Sequence, residues 1–362
     1  MASPNPVVVV TGIAGNLGSR LLPLLRNFSV IGVDLSSPQT DLPLRFEHLD
    51  LGEESSTRVF YDLLRDARPV AVIHLAFVID PVRTGVLDGE RMWQINVAGT
   101  ARIMEAVTEA NRTADSPIRQ FIFPSSVSAY GPNLPAPATE DSVLAAHTLP
   151  YAIHKKQSDE VVQQRAPALR GCSVYLLRPH IFAGASVENY LLGAFRGTIN
   201  GKGARAEKMR KDGKRLPCML PRGQQYLDNK IQFVHVDDMA RLLVHLLHRD
   251  PEAQRLTILN VAGRGDPLTF GQCVEMAQGK LIRVPGKWAM GLVLQFLWKR
   301  QISAIPPEAL PYMTGEYIMN TERLRAFLGS EYENVMRYTI ADAFADSCKN
   351  TPEAADQSAA AK

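Results

Sequence analysis

Val7-Val8-Val9-Val10-Thr11-Gly12-Ile13-Ala14-Gly15-Asn16-Leu17-Gly18-Ser19-Arg20-Leu21-Leu22 is the stretch whose reading decides the fold. A run of valines with no polar alternation suits a central parallel strand buried on both faces. Three glycines follow at once, and then a helix-compatible run. Strand, glycine-rich turn and helix in that order form the setting of a phosphate-binding turn. The glycines let backbone approach a pyrophosphate, and the helix N-terminus offers free N–H groups and partial positive charge. Gly12, Gly15 and Gly18 are spaced GxxGxxG, not the GxGxxG of the standard dinucleotide fingerprint.

Working outward, Ser29-Val30-Ile31-Gly32-Val33 reads as a second strand ending at Asp34. An acid about 20 residues past the first strand is placed to meet adenosine ribose hydroxyls, and its charge repels a 2′-phosphate. This favours NAD over NADP, although aspartate after a strand is also a common turn residue. Phe46–Leu51 reads as a short third strand, Ser55–Arg65 as a helix opened by a Ser/Thr cap, and Val70–Ala76 as another buried strand. His74, at the end of that strand, reads as a hydrogen-bonded core histidine, since no second metal-type residue sits at useful spacing. Asn96 opens a helix to about Asn111, Gln120–Pro124 is a strand, and Val174–Pro179 is a sixth. Apolar strands alternating with helices predict a right-handed, doubly wound parallel sheet of Rossmann type. In such sheets ligands bind beyond the carboxyl ends of the strands, where the glycine turn, His74 and Ser125-Ser126 all fall.

The bulk properties exclude several classes. A chain of 362 residues can hold about two lobes, and its net charge of +3 is too small to argue for nucleic acid. Cys172, Cys218, Cys273 and Cys348 form no CxxC, which points to neither a disulfide framework nor a zinc site and fits a reducing cytoplasm. Met1–Pro6 has no basic n-region, the apolar run after it is too short for a signal peptide, and no stretch approaches the ~20 apolar residues of a membrane span.

Tyr151-Ala152-Ile153-His154-Lys155 puts a tyrosine and a lysine on one helical face. A phenol ordinarily holds its proton up to pH ~10, so a tyrosine acting as acid or base near neutrality needs a neighbouring cation. By itself such a pair is common. Together with Thr11-Gly12-x-x-Gly15-x-x-Gly18, Asp34, Asp50-Leu51, His74-Leu75-Ala76, Asn96-Val97-x-Gly99-Thr100, Ser125-Ser126-x-x-x-Tyr130-Gly131, Leu177-Arg178-Pro179 and Phe233-Val234-His235-Val236-Asp237-Asp238, it resembles an extended short-chain dehydrogenase/reductase. That branch is the NAD-dependent epimerase/dehydratase family. The resemblance runs over roughly residues 7 to 345 and implies a role for each position. Gly12, Gly15 and Gly18, with Asn16 and Leu17 between them, would cradle the cofactor pyrophosphate. Asp34 would hold the adenosine ribose, and Asp50 and Leu51 would lie near the adenine. Leu75, Ala76 and Asn96 would line the rest of the NAD site. Tyr151 would be the acid/base, Lys155 would lower its pKa and hold the nicotinamide ribose, and Ser126 would bind the substrate oxygen.

Departures from the family narrow the chemistry. Sugar dehydratases typically carry an aspartate and a glutamate after the active-site serine or threonine, and sugar-acid decarboxylases a glutamate at the second position. Here Val127 and Ser128 stand there. What remains is 4-epimerisation of a sugar or nucleotide sugar, or net alcohol/ketone oxidoreduction, with an apolar, steroid- or lipid-like hydroxyl compound as the alternative substrate. A non-catalytic NAD sensor on the same fold is a further alternative. Many nucleotide-sugar members place an arginine just ahead of the His-Val-x-Asp strand, where this chain has Lys230-Ile231-Gln232-Phe233. Asn189 falls where family members often contact substrate.

Three further expectations concern the second half. The division is a 1–178 NAD-binding domain completed by 226–262, a smaller substrate lobe of 179–225 and 263–349, and a disordered tail of 350–362. Gly201–Gln225 carries eight cations against Glu207 and Asp212, a local charge of +6. It either draws an anionic substrate or, as the simpler reading, is a solvated mobile loop. Lys287–Arg300 holds Trp288 and Trp298 around an apolar run and reads as an ordinary buried helix, with a membrane-surface helix or a wall for a greasy substrate as alternatives. A homodimer through the helices beginning near Val97 and Tyr151 is the expected assembly.

Overall fold

In the computed structural model, which describes residues 5–79, 88–113, 117–250 and 255–349, the valine run is a strand buried on both sides. It is β1 (Val7–Thr11); β2 (Ser29–Asp34), β3 (Arg45–His48), β4 (Ala71–His74), β5 (Gln120–Pro124) and β6 (Ser173–Pro179) follow. With Leu256–Val261 they form one seven-stranded sheet in the order Leu256–Val261, β6, β5, β4, β1, β2, β3. Every pairing in it is parallel. Val8 and Val10 face one core with Leu21, Met239, Leu243 and Leu246, while Val9 faces the other with Phe60, Met104, Val107 and Phe121. Helices therefore cover both faces, and the polarity-free valine run is explained. The strand order reverses between β1 and β4, the switch point at which doubly wound sheets open a ligand crevice.

Several local details differ from the sequence reading. Ser55 makes no side-chain cap for the helix Ser56–Ala67. Backbone carbonyls of Glu53, Glu54 and Ser55 accept from Ser56, Thr57 and Arg58, so a preceding turn already satisfies the first amides. The segment before Gly99–Thr113 is helical from Gly89, opened by the Asp88 side chain and passing through a π turn at Gln94–Ala98.

Nor is the basic stretch a loop. It contains the helix Ala204–Lys211 and the strand Cys218–Pro221, which pairs in parallel with Leu281–Val284. Two of its arginines are spent on backbone: Arg210 donates to the Ile199 and Gly201 carbonyls, and Arg215 to those of Arg196 and Ala277. Lys211 pairs with Glu207 and Lys214 with Asp212. Charge that reads as solvated along the chain is here used to fasten an irregular segment. The tail from Thr351 to Lys362 lies outside the described residues.

One buried polar network joins the end of the sheet to the Pro150–Arg165 helix. Arg178 in β6 makes a two-pronged ion pair with Asp159, at 2.9 Å for both contacts, with side chains 2% and 0% exposed. Its remaining arm donates to the Tyr130 hydroxyl and the Glu140 carbonyl, both at 2.8 Å. Tyr130 in turn donates to Asn260 on the outermost strand. Burial disfavours the guanidinium's charge, but Asp159 and Tyr130 outweigh it and hold Arg178 above its usual range. Removing one partner leaves an uncompensated buried charge. Asp159→Asn is expected to cost about 3–5 kcal/mol in denaturant unfolding, and Arg178→Met combined with Asp159→Leu to recover much of that loss.

Candidate active site

The glycine turn closes against the end of β4. Gly12 has φ +71°, and a Cβ there would lie 2.5 Å from the Ala76 amide nitrogen; a Cβ on Gly18 would lie 2.4 Å from the Ile13 carbonyl. These two glycines serve the protein's own packing. At Gly15, by contrast, a Cβ would meet only the Gly12 carbonyl, at 3.2 Å. The helix that starts after it, α1 (Asn16–Leu21), has no side-chain cap. Asn16 donates to the Ser186 carbonyl at 2.8 Å, which ties the turn to the second half of the chain, and Leu17 packs between the two cores.

Beneath the turn runs a continuous hydrogen-bonded chain. The Ala76 amide donates to Thr11 Oγ1, which lies 2.6 Å from His74 Nδ1. On the far side His74 Nε2 is 3.1 Å from Thr100 Oγ1, which donates to the Asn96 carbonyl. With both hydroxyl directions assigned this way, the histidine carries its proton on Nε2. Burial, and secondarily Lys155, lowers the His74 pKa to about 3, so the ring is neutral. It is the hydrogen-bonded core histidine that the sequence suggests. Asn96 clamps the backbone of Val78 with both ends of its amide, at 2.7 and 3.0 Å, and so sets the path of Leu75, Ala76 and Phe77.

At the end of β2 the Asp34 carboxylate accepts from Ala14 N (2.9 Å) and Leu35 N (2.7 Å), which holds it beside the turn. Asp50 accepts from Gly52 N and pairs with Arg91, while Leu51 is buried behind it. Asn189 caps the helix Tyr190–Arg196 through Leu192 N and donates to the Phe182 carbonyl.

The candidate catalytic residues lie at the carboxyl ends of β4 and β5. Ser126 is buried and extended, accepting from Ser128 N and donating to Ser128 Oγ. Burial pushes the Tyr151 phenol above its usual value, with the Ser126 side chain pulling it partly back. Lys155 is buried, and its Nζ donates to the Pro124 carbonyl at 2.8 Å. Two neighbours add to what the sequence shows. Phe77 presents its ring face 3.6 Å from Lys155 Nζ and stands perpendicular to the Tyr151 ring, 6.0 Å between centroids. Ser125 Oγ is buried without a hydrogen-bond partner. Nothing in the sequence singles out Phe77, since an aromatic just past a strand reads as core; Ser125 stands beside Ser126 at the ligand edge in the sequence reading, but its missing partner is visible only in three dimensions.

These residues fit a dinucleotide. The open Gly15 edge, the uncapped α1, a carboxylate at the end of β2 and an orphaned hydroxyl beside Ser126 lie along the carboxyl edge of the sheet, on both sides of its switch point. A family model described as the NAD dependent epimerase/dehydratase family matches residues 8–262. The chain belongs to this family of extended short-chain dehydrogenases/reductases. NAD is accordingly its cofactor, as the family description states. An uncharacterized epimerase/dehydratase of Staphylococcus aureus (strain USA300) is 24% identical over 163 residues, 43% of this chain and 47% of that protein. The matching stretch thus spans about half the length of the curated relatives.

Solved structures of the same fold cover nearly the whole chain. MoeE5 in complex with UDP-glucuronic acid and NAD superposes with a TM-score of 0.64 at 19% identity, over 97% of this chain and 99% of that one. A dTDP-glucose 4,6-dehydratase from Bacillus anthracis in complex with NAD gives 0.65 at 15%, over 97% of each chain. UDP-glucose 4-epimerase from Thermotoga maritima, with UDP-glucose, gives 0.63 at 18%, over 98% and 99%.

Within this family member the sign of the lysine's titration is testable. Burial lowers the Lys155 pKa to about 7, with Asp159 pulling it upward, against ~10.4 for an unfolded lysine. Between those values the unfolded chain holds more protons, so the lysine's cost to stability is full below pH 7 and fades as pH rises toward 10. Lys155→Met is expected to raise unfolding free energy by about 2–4 kcal/mol at pH 6, with the gain shrinking at pH 9. Paired denaturant titrations at the two pH values check this.

Proposed function

We propose that the protein is an NAD-dependent oxidoreductase/epimerase acting on a secondary alcohol or ketone, with Tyr151 as acid/base, Lys155 as the supporting cation and Ser126 on the substrate oxygen. The observation that carries this reading is the convergence of Tyr151, Ser126 and Lys155 in one buried corner beyond the ends of β4 and β5. NAD, when bound, supplies the acceptor and donor of hydride. Tyr151 takes the hydroxyl proton as the carbon–hydrogen bond breaks, and the carbinol becomes a carbonyl. Ser126 donates to the oxygen as negative charge develops, and Lys155 stabilises the phenolate electrostatically. Gly12, Gly15, Asn16, Leu17 and Gly18 would hold the pyrophosphate, Asp34 the adenosine ribose, and Asp50, Leu51, Leu75, Ala76 and Asn96 the walls around it.

The leading reaction is epimerisation of a sugar or nucleotide sugar, for which bound NAD would supply reversible hydride acceptance with no net consumption of the cofactor. Val127 and Ser128 supply no acid for eliminating water. The nucleotide sugars bound in MoeE5 and in the Thermotoga epimerase support this substrate class. A second reading, dehydrogenation of an apolar hydroxyl compound, draws on two observations. Gln232 is buried, with both ends of its amide on the Met319 backbone, at 2.8 and 3.1 Å, so it has nothing to offer a diphosphate. Phe77 makes the wall beside Tyr151 and Lys155 an aromatic one.

The same proposal includes a cytoplasmic homodimer through Gly99–Thr113 and Pro150–Arg165; free thiols at Cys172, Cys218 and Cys273, all buried, suit a reducing compartment. It also takes 1–178 with 226–262 as the NAD-binding domain and 179–225 with 263–349 as the substrate lobe. The pairing of Cys218–Pro221 with Leu281–Val284 joins the two parts of that lobe.

Incubation with NAD and a panel of nucleotide sugars and hydroxysteroids separates the readings. Product without net NADH marks an epimerase, and stoichiometric NADH a dehydrogenase. Tyr151→Phe is expected to lower turnover by about 10²–10⁴-fold. Retention of full turnover would overturn the assignment of the base.

A further inference from the structure

The helix Lys287–Lys299 does not sit in the core as the sequence suggests. It buries only Met290 and Leu294 fully. Trp288, Leu292 and Phe296 are 68%, 58% and 49% exposed. At four-residue spacing these side chains follow one another along a single face. Large apolar groups scattered singly over a surface need no explanation, but a contiguous stripe of three on one helix does.

The charges on the stretch of chain that carries the stripe have one sign. Between Glu275 and Glu308 the chain has no acidic residue, while Lys280, Arg283, Lys287, Lys299 and Arg300 fall in that interval. Lys287 begins the helix and Lys299 and Arg300 end it. The Arg300 guanidinium lies 5.4 Å from the Phe296 ring centre, so cation and apolar face are in contact. The carboxyl end of this helix is also joined to the basic stretch. The Gly201 and Gly203 amides donate to the Ile302 and Gln301 carbonyls, and Leu297 packs with Ala206. The exposed Arg205 and Lys208 thus come from the segment next to Arg300.

We propose that this face docks the enzyme reversibly on an anionic lipid surface, with Trp288, Leu292 and Phe296 in the headgroup–acyl boundary and the cations around them on lipid phosphates. Indole and phenyl rings on an apolar stripe with lysine and arginine at its flanks are what an interfacial helix requires. The charge pattern selects this occupant over a second copy of the chain. A two-fold contact through the stripe would set Lys287 of one copy near Lys299 and Arg300 of the other, with no carboxylate on the helix to relieve the repulsion. No helix among the described residues is long and apolar enough to cross a membrane, so the association is with the surface alone.

Co-sedimentation with vesicles of phosphatidylcholine, with and without phosphatidylglycerol, tests this on the full chain. The wild-type protein is expected to bind the anionic vesicles and to be released by salt. Reversing Lys287, Lys299 and Arg300 together to Glu is expected to weaken binding by at least ~5-fold per cation. W288S/L292S/F296S is expected to weaken it by more than about 10-fold. Trp288→Ser alone, at the most exposed position of the stripe, gives the same reading should the triple variant fold poorly. An unchanged thermal midpoint and unchanged NAD binding confirm that each variant is folded. The proposal is overturned if wild-type protein ignores both vesicle types, if the variants bind as wild type does, or if the stripe variants merely convert a dimer to a monomer without any vesicle binding by the parent.

Discussion

The buried pair between Arg178 and Asp159 is the contact on which the arrangement of the site depends. Arg178 sits on a strand of the sheet, and Asp159 lies one turn beyond Lys155 on the helix that also carries Tyr151. A two-pronged guanidinium–carboxylate contact fixes orientation as well as distance. Here it keeps the Tyr151–Lys155 face of the helix against the carboxyl end of β5. Tyr130, Glu140 and Asn260 extend the constraint to the loop after Ser126 and to the outermost strand. Such a pair contributes little net stability once desolvation is counted, but it costs a great deal to break.

A second polar chain lies beneath the glycine turn. Thr11, His74 and Thr100 connect the turn after β1, the segment after β4 and the helix Gly99–Thr113 through side chains that exchange single hydrogen bonds. A neutral histidine suits this position because one ring nitrogen accepts while the other donates, and a buried imidazolium could do only the latter. Both polar chains are buried, and their side chains find partners within the protein. The corner around Ser126, Tyr151 and Lys155 is different. Lys155 is buried with a carbonyl and an aromatic face for company, and Ser125 Oγ has no partner. A group whose needs the protein itself leaves unmet is poised for a ligand.

The strands, the glycine turn and the Tyr151–Lys155 helix were legible because their signals are local. An uninterrupted valine run, three glycines and a four-residue spacing each speak for themselves within a few residues. The chain from Thr11 to His74 to Thr100, by contrast, spans residues that only packing brings together. The basic segment and the tryptophan helix read wrongly for the same reason. Arg210 and Arg215 look solvated until the carbonyls they bind are seen, and an apolar helix looks buried until one face is found to have no neighbour.

The sequence by itself determined that the chain winds a parallel sheet with a glycine-rich turn after its first strand, because strand burial and turn conformation follow from side-chain branching and from glycine's missing Cβ. It also set two residues that are not acids, Val127 and Ser128, directly after Ser126. Tertiary structure alone decided that Gln232 is spent on backbone, that Phe77 walls the site, and that Trp288, Leu292 and Phe296 face outward. Those outcomes depend on which polar atoms find partners and which apolar surfaces find cover, and both are settled only when distant segments meet.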